Sequence, residues 1–276
     1  MRRPGSLPSP LSLRQALRVP DVRPAAAARL WRRNATAYSH SWQMNILPNF
    51  FEPFFYLLAI GFGLGKFVGT IAAGVEYAEF IAPGLAAVSA MYGASFDVTF
   101  NVFVKLHFER LYDAITVTPL SPEDVVVGEL MWAVTRSLLY GVPFVVIATG
   151  FGLVDSWWII LAPIAVAIMG FTFSIIGLTF TSFIPTIDLF SFYFTLFVTP
   201  MFLFSGIFFP IDTLPGWAHP LAWFSPLFHA AAAMRELFGV FGTDLLAAAG
   251  HLLWLLALGL LLFPIPPNVF RHRLVN

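Results

Sequence analysis

WWIILAPIAVAIMGFTFSIIGLTFTSF, residues 157–183, holds no acidic, basic or histidine side chain. A helix needs about 20 apolar residues to cross the hydrocarbon core of a bilayer, so this stretch alone is long enough. On either side of it, apolar stretches of similar length occupy 46–66, 80–104, 125–151, 189–209 and 245–265, and 189–211 is equally bare of charge. Six such helices leave too little of a 276-residue chain to cover them with polar surface. The expected fold is an all-α polytopic membrane protein with six transmembrane helices.

Composition agrees, with 58% hydrophobic and 11% charged residues, and leaves no room for a folded soluble domain. The chain has no cysteine, which excludes disulfides, thiol nucleophiles and thiolate metal sites. Its fifteen Lys and Arg are unevenly placed: eight precede the first stretch, Lys105 and Arg110 lie in the 105–124 loop, and Arg271 and Arg273 follow the last stretch. An even number of crossings puts these segments on one side, and the positive-inside rule makes that side cytoplasmic. Both termini are therefore expected inside. Residues 1–24 are rich in Arg and Pro without an apolar run, so they are expected to form a disordered cytoplasmic tail rather than a cleavable signal.

Residues 25–45 carry Trp31, Ala35, Tyr38, Trp42 and Ile46 at spacings of four and three, opposite Arg29, Arg33, His40 and Gln43. That pattern predicts an amphipathic helix lying at the membrane interface. The loop at 105–124 reads as a short helix of mixed character stopped by Thr118-Pro119. Ser121-Pro122-Glu123-Asp124 then supplies a cap, a first-turn proline and two acids for the next helix. Such a loop suits either docking of a partner or a simple solvated turn. Residues 208–238 are too apolar for an ordinary loop and are broken by Pro210, Pro215, Pro220 and Pro226. Broken helices at membrane depth need protein or a cavity around them. A re-entrant helical hairpin between spans five and six, entering from the outer side, is the expectation.

Ionisable groups within spans are costly and mark function or pairing. They are Glu52, Asp97, Glu129 and Arg136. One arginine among three carboxylates predicts an ion-pair cluster joining spans one to three; a polar gate for an amphiphile's head group is the sharper alternative. The run Gly61-Phe62-Gly63-Leu64-Gly65-Lys66 is not a nucleotide loop, because Ile60 stands at the first glycine position and Phe67 follows the lysine. No metal-ligand spacing accompanies the six histidines, and no nucleophile with a placed base can be picked out, so neither a metal nor a catalytic site is expected. These readings leave open a transporter with a separate motor, a proton-coupled transporter and a membrane sensor or scaffold.

An ordered set of short motifs narrows the choice. Glu52-Pro53 with Tyr56-Leu57 and Gly63-Leu64-Gly65 comes first, then Phe80-Ile81-Ala82-Pro83-Gly84 with Ser89-Ala90-Met91, then Val127-Gly128-Glu129-Leu130 with Thr135-Arg136. The most specific run is Thr199-Pro200-Met201-Phe202-Leu203-Phe204-Ser205-Gly206 through Phe209-Pro210-Ile211-Asp212, completed by Pro226-Leu227-Phe228-His229. From about Trp31 to Leu274 the chain resembles the ABC-2 type permeases, and within them the nodulation-type (NodJ-like) lipooligosaccharide exporters. The resemblance implies a bacterial inner-membrane export permease working as a pair, expected as a homodimer. Two cytosolic ATPase subunits would bind it and hold the ATP and Mg. A coupling helix is implied at 107–119, with Phe108, Glu109, Arg110, Leu111, Asp113 and Pro119 meeting the ATPase, beside an interface helix at 25–45. Ile115-Thr116-Val117-Thr118-Pro119 looks more like the drug- and polysaccharide-exporting relatives, so the implied substrate is an amphiphile: a lipid-linked saccharide, a lipooligosaccharide or a hydrophobic drug. Phe54, Phe55, Tyr193 and Phe197 are the aromatic residues expected along its path; no nucleic-acid partner is expected.

Overall fold

Pro24 opens the first helix, at a position where its missing N–H costs nothing, since first-turn N–H groups lack an intrahelical acceptor. The computed structural model describes residues 17–71, 74–116 and 118–275, and among these the side chains of all but 41, 43–50, 52, 113, 116 and 275. Every regular element among the described residues is a helix. Helix α1 (Pro24–Tyr56, 33 residues) continues without a break through a wide π-type stretch, Leu57–Leu64, into Gly65–Val68. The expected boundary between an interface helix at 25–45 and a first span at 46–66 is absent; both halves belong to one rod.

Among the described residues, five helices are long and apolar enough to cross a membrane: Tyr77–Phe108, Pro122–Gly150, Trp157–Phe183, Ile187–Phe204 and Leu245–Leu274. Of the expected first span, the apolar helical part Pro53–Val68 falls within the residues whose side chains are described.

Helix α2 (Tyr77–Phe96) starts at a capping box, in which Glu76 and Glu79 exchange bonds with each other's backbone N–H, and wide turns at Asp97–Asn101 and Val104–Phe108 extend it. Arg110 then turns the chain with a φ of 48°, and α3 (Leu111–Thr116) follows. Ser121 Oγ accepts from Asp124 N and Asp124 bonds back to the Ser121 N–H, capping α4 (Pro122–Gly150) as the sequence predicts. A single 3₁₀ turn at Trp157–Leu161 leads into α5 (Ala162–Phe183). Helix α6 (Ile187–Phe204) alternates 3₁₀, α and π turns.

Between α6 and the last span the chain forms α7 (Ala218–Trp223) and α8 (Pro226–Phe238), divided at Phe224-Ser225. Gly239, at a φ of 80°, ends α8 in the left-handed conformation that glycine takes without strain. Two short helices are thus present where a hairpin is expected, and α8 packs against α2 and α9 (Leu245–Leu262). The chain finishes with α10 (Ile265–Val275).

Helix α2 is the axis of the bundle. Within its most apolar window 89% of residues lie inside the protein, against 17% for the last span. Around it stand α1, α4, α5 and α8; α9 closes against α5 and α8. Apolar burial drives little association in lipid, so contact is made by small residues and interhelical hydrogen bonds. At Gly93 a Cβ would stand 2.5 Å from the Tyr140 ring and 2.9 Å from the Arg136 carbonyl, and at Gly128 it would meet the Ala27 carbonyl at 2.8 Å. Hydroxyls bridge the α2–α4 seam and two others: Ser137 Oγ donates to Ala90 O at 2.9 Å, Thr181 Oγ1 to Val98 O at 2.8 Å and Thr172 Oγ1 to Leu255 O at 2.9 Å. Each such bond contributes about 0.6 kcal/mol in a membrane setting.

Candidate functional site

The site lies at the basic end of the bundle, where α1 begins, α2 ends and α4 begins. Helix α3 lies across this end with its two faces differently committed. Tyr112 is fully buried and its ring packs edge-on against Phe270 at 6.2 Å, while Leu111 and Ile115 are half-buried beside the same cluster. Outward stand Phe108 (68% exposed), Glu109, Arg110, Thr118 and Pro119. Asp113 falls on α3, but its side chain lies outside the described ones.

Under α3 sits a polar node. Glu129, two turns beyond the cap of α4 and 1% exposed, accepts from Tyr112 OH at 2.8 Å, from Asn34 Nδ2 at 2.8 Å and from Lys105 Nζ at 2.8 and 3.0 Å. Four elements therefore meet on one carboxylate: α1, α2, α3 and α4. Burial, and after it the neighbouring Glu129 carboxylate, hold the Tyr112 phenol well above its ordinary pKa, so it remains a donor. A second clasp lies alongside. Arg23 binds Asp124 through its backbone N–H at 2.7 Å and its guanidinium at 2.6 Å, and reaches the Pro119 carbonyl. Arg271 meets Glu123 at 2.8 Å.

The expected ion-pair cluster is arranged otherwise. Glu129 takes Lys105 as its counter-ion, and Arg136 makes no ion pair with Glu129 or Asp97. Its guanidinium instead lies 4.6 Å from the Tyr38 ring centroid and donates to Tyr140 OH at 2.7 Å. Asp97 accepts from Asn101 Nδ2 at 2.9 Å. The Glu52 side chain lies outside the described ones. Asn34, Lys105 and Tyr112 were invisible as partners in the sequence; the available signal was that Asn34 sits four residues before Tyr38 on the inner face of α1.

The inward face of α1 is Ala27, Leu30, Asn34 and Tyr38, with Trp31 Nε1 donating to Thr135 Oγ1 at 2.9 Å. Arg29 and Arg33 are exposed, as expected of the polar face, and so is Arg32. Residues 1–16 of the expected tail lie outside the described ones, but its last part is held: the Arg18 carbonyl accepts from Asn268 Nδ2 at 2.7 Å, next to the Arg23 clasp.

The aromatic path residues separate into two pairs. Phe54 and Phe55 adjoin at 6.0 Å on α1, with Phe55 exposed. Tyr193 and Phe197 adjoin at 5.6 Å on α6, with Tyr193 buried against Phe180. Among the described residues, no group of three or more His, Asp or Glu could hold a metal ion.

Comparison with known proteins places this arrangement. The chain is 37% identical over 206 residues to nodulation protein J of Rhizobium leguminosarum bv. viciae, covering 75% of this chain and 79% of the relative. It is 34% identical over 260 residues to nodulation protein J of Bradyrhizobium diazoefficiens, covering 93% and 98%. The inner membrane transport permease YadH of Escherichia coli K12 is 24% identical over 212 residues, 76% of this chain and 81% of the relative. The profile of the ABC-2 type transporter family matches residues 26–238, from the first turn of α1 to the end of α8 and including α3 and the Glu129 node, and the chain belongs to that family.

Proposed function

We propose that this chain is the membrane-spanning subunit of an ATP-driven exporter, working as a homodimer with two cytosolic ATPase subunits. The ATP and Mg belong to those partners. The observation that carries the reading is α3: a short helix exposed on its outer side and tied on its inner side, through Tyr112 and Glu129, to three membrane helices. A partner pushing on Phe108, Glu109, Arg110 and Pro119 moves α1, α2 and α4 together, without a joint to absorb the motion. The Arg23–Asp124 clasp adds a second link from the loop to the start of α1.

In this reading the basic end is cytoplasmic, residues 46–66 provide a sixth crossing, and both termini lie inside. The α7–α8 pair is a re-entrant hairpin at the outer exit. The membrane is the bacterial inner one, as the name of the YadH relative supports. The cargo is an amphiphile with a saccharide or drug-like head, and Phe54, Phe55, Tyr193 and Phe197 line its route.

Co-purification of the tagged chain with a P-loop ATPase is the first measurement. In the reconstituted complex, reversing both charges with Glu109→Lys and Arg110→Glu should leave ATP hydrolysis in place and abolish transport. Full transport by that double variant removes the docking assignment.

A further inference from the structure

Between α1, α2 and α4 a cavity of about 340 Å³ extends from exposed Glu109 at the rim to Arg136, four turns into α4. Its polar walls include Arg33 and Asn34 of α1, Asp97 and Lys105 of α2, and Arg136. Lys105 is neutralised by Glu129 at 2.8 Å. Besides exposed Arg33 and Glu109 at the rim, two buried charges have no ion-pair partner among the described residues. Asp97 is 1% exposed; its Oδ1 accepts from Asn101, and its Oδ2 has no partner. Arg136 is 4% exposed; one terminal nitrogen donates to Tyr140, and its Nε has no partner.

A buried charged group left without a partner is destabilising by more than the ~1–3 kcal/mol of a neutral one. Here an acceptor of negative charge and a donor of positive charge border the same space, without pairing to each other. An anion alone would satisfy Arg136 and be repelled by Asp97. A cation alone would do the reverse. A guest carrying both charges satisfies both. Trp132 also lines the space and its ring favours an ammonium, whereas the Tyr38 ring is already taken by the Arg136 guanidinium at 4.6 Å. At ~30 Å³ for each water-sized unit, the volume admits a head group of roughly ten non-hydrogen atoms.

We propose that this cavity binds a zwitterionic head group of the phosphoethanolamine type, its phosphate toward Arg136 and Arg33 and its ammonium toward Asp97. The leaflet that supplies it follows from the orientation proposed above; binding by the chain alone does not rest on the ATPase reading. The group can come from a phospholipid or from a soluble phosphoethanolamine ester.

The full-length chain, purified in detergent and depleted of lipid, is mixed with equimolar phosphatidylethanolamine and phosphatidylglycerol, and retained lipid is counted by native mass spectrometry. The wild type should retain phosphatidylethanolamine in preference by about tenfold or more, a difference of ~1.4 kcal/mol. Asp97→Asn should erase the preference, and Arg136→Gln should lower retention of both lipids. Competition by glycerophosphoethanolamine assigns recognition to the head group by itself; its failure to compete assigns it to the diacyl lipid. Equal retention of the two lipids by the wild type, a comparison that needs no variant, overturns the proposal. So does an undiminished preference in a folded Asp97→Asn chain. Loss of ATPase co-purification leaves this result untouched, so the two proposals fail separately.

Discussion

Glu129 gathers three donors from three other elements, and this concentration makes it the most sensitive side chain at the basic end. Removing one partner of a buried, hydrogen-bonded charge pair costs about 3–5 kcal/mol, because the remaining charge stays in low dielectric. Glu129→Ala should therefore sharply lower the yield of folded protein. Tyr112→Phe removes one bond to a charged acceptor, worth ~1.5–3 kcal/mol. It should lower the melting temperature in detergent while leaving a folded monodisperse chain, and an unshifted melt would show that the phenol does not hold α3. The sequence disclosed Glu129 as an ionisable group inside a span, but not its counter-ion. Arg136, seven residues on, shares its helical face, yet seven residues rise ~10.5 Å along the axis, too far for direct pairing. Lys105, near the end of the preceding span, reaches back on its four-carbon stem, a contact that spacing along the chain does not encode.

Helix positions follow the sequence closely where the stop and start signals are chemical. Ser121-Pro122, Ser225-Pro226 and the Glu76–Glu79 box each open a helix where the residues call for one. Near residue 45 no cap or glycine marks a boundary, and the helix runs on through Pro48. Polar and apolar residues of α1 are equally compatible with helix, so the hydropathy change there altered environment without altering backbone. Between helices, the closest seam is α2 against α4 at Gly93. Gly93→Val would drive its side chain into the Tyr140 ring and the Arg136 carbonyl, and overpacking of that kind costs ~1–3 kcal/mol. Gly150→Ala, where a Cβ meets nothing within 4 Å, is the matched control. Size-exclusion yield and melting temperature should fall for the first and hold for the second. Equal behaviour of the pair would mean that the seam has slack.

For the molecule as a whole, the number of crossings turns on the rod from Pro24 to Val68. The lack of cysteine makes the test direct, since any introduced thiol is the only one. Val19 (83% exposed) precedes the rod and Phe67 (89% exposed) stands at its far end. In intact cells a membrane-impermeant maleimide should label Phe67→Cys and spare Val19→Cys until the membrane is opened. Labelling of both from one side would remove the sixth crossing. Class and membrane character were legible because charge-free runs of this length have few other uses. The count was less so, because the stretch at 46–66 carries Asn49 and Glu52 and begins midway along a longer helix.

Pro48 and Pro53 each remove an N–H from the hydrogen-bond ladder of the Pro24–Val68 rod, and wide turns follow at Leu57–Leu64. A load taken up at its basic start therefore meets its softest points midway along, where the rod can bend rather than pass the whole motion to Val68.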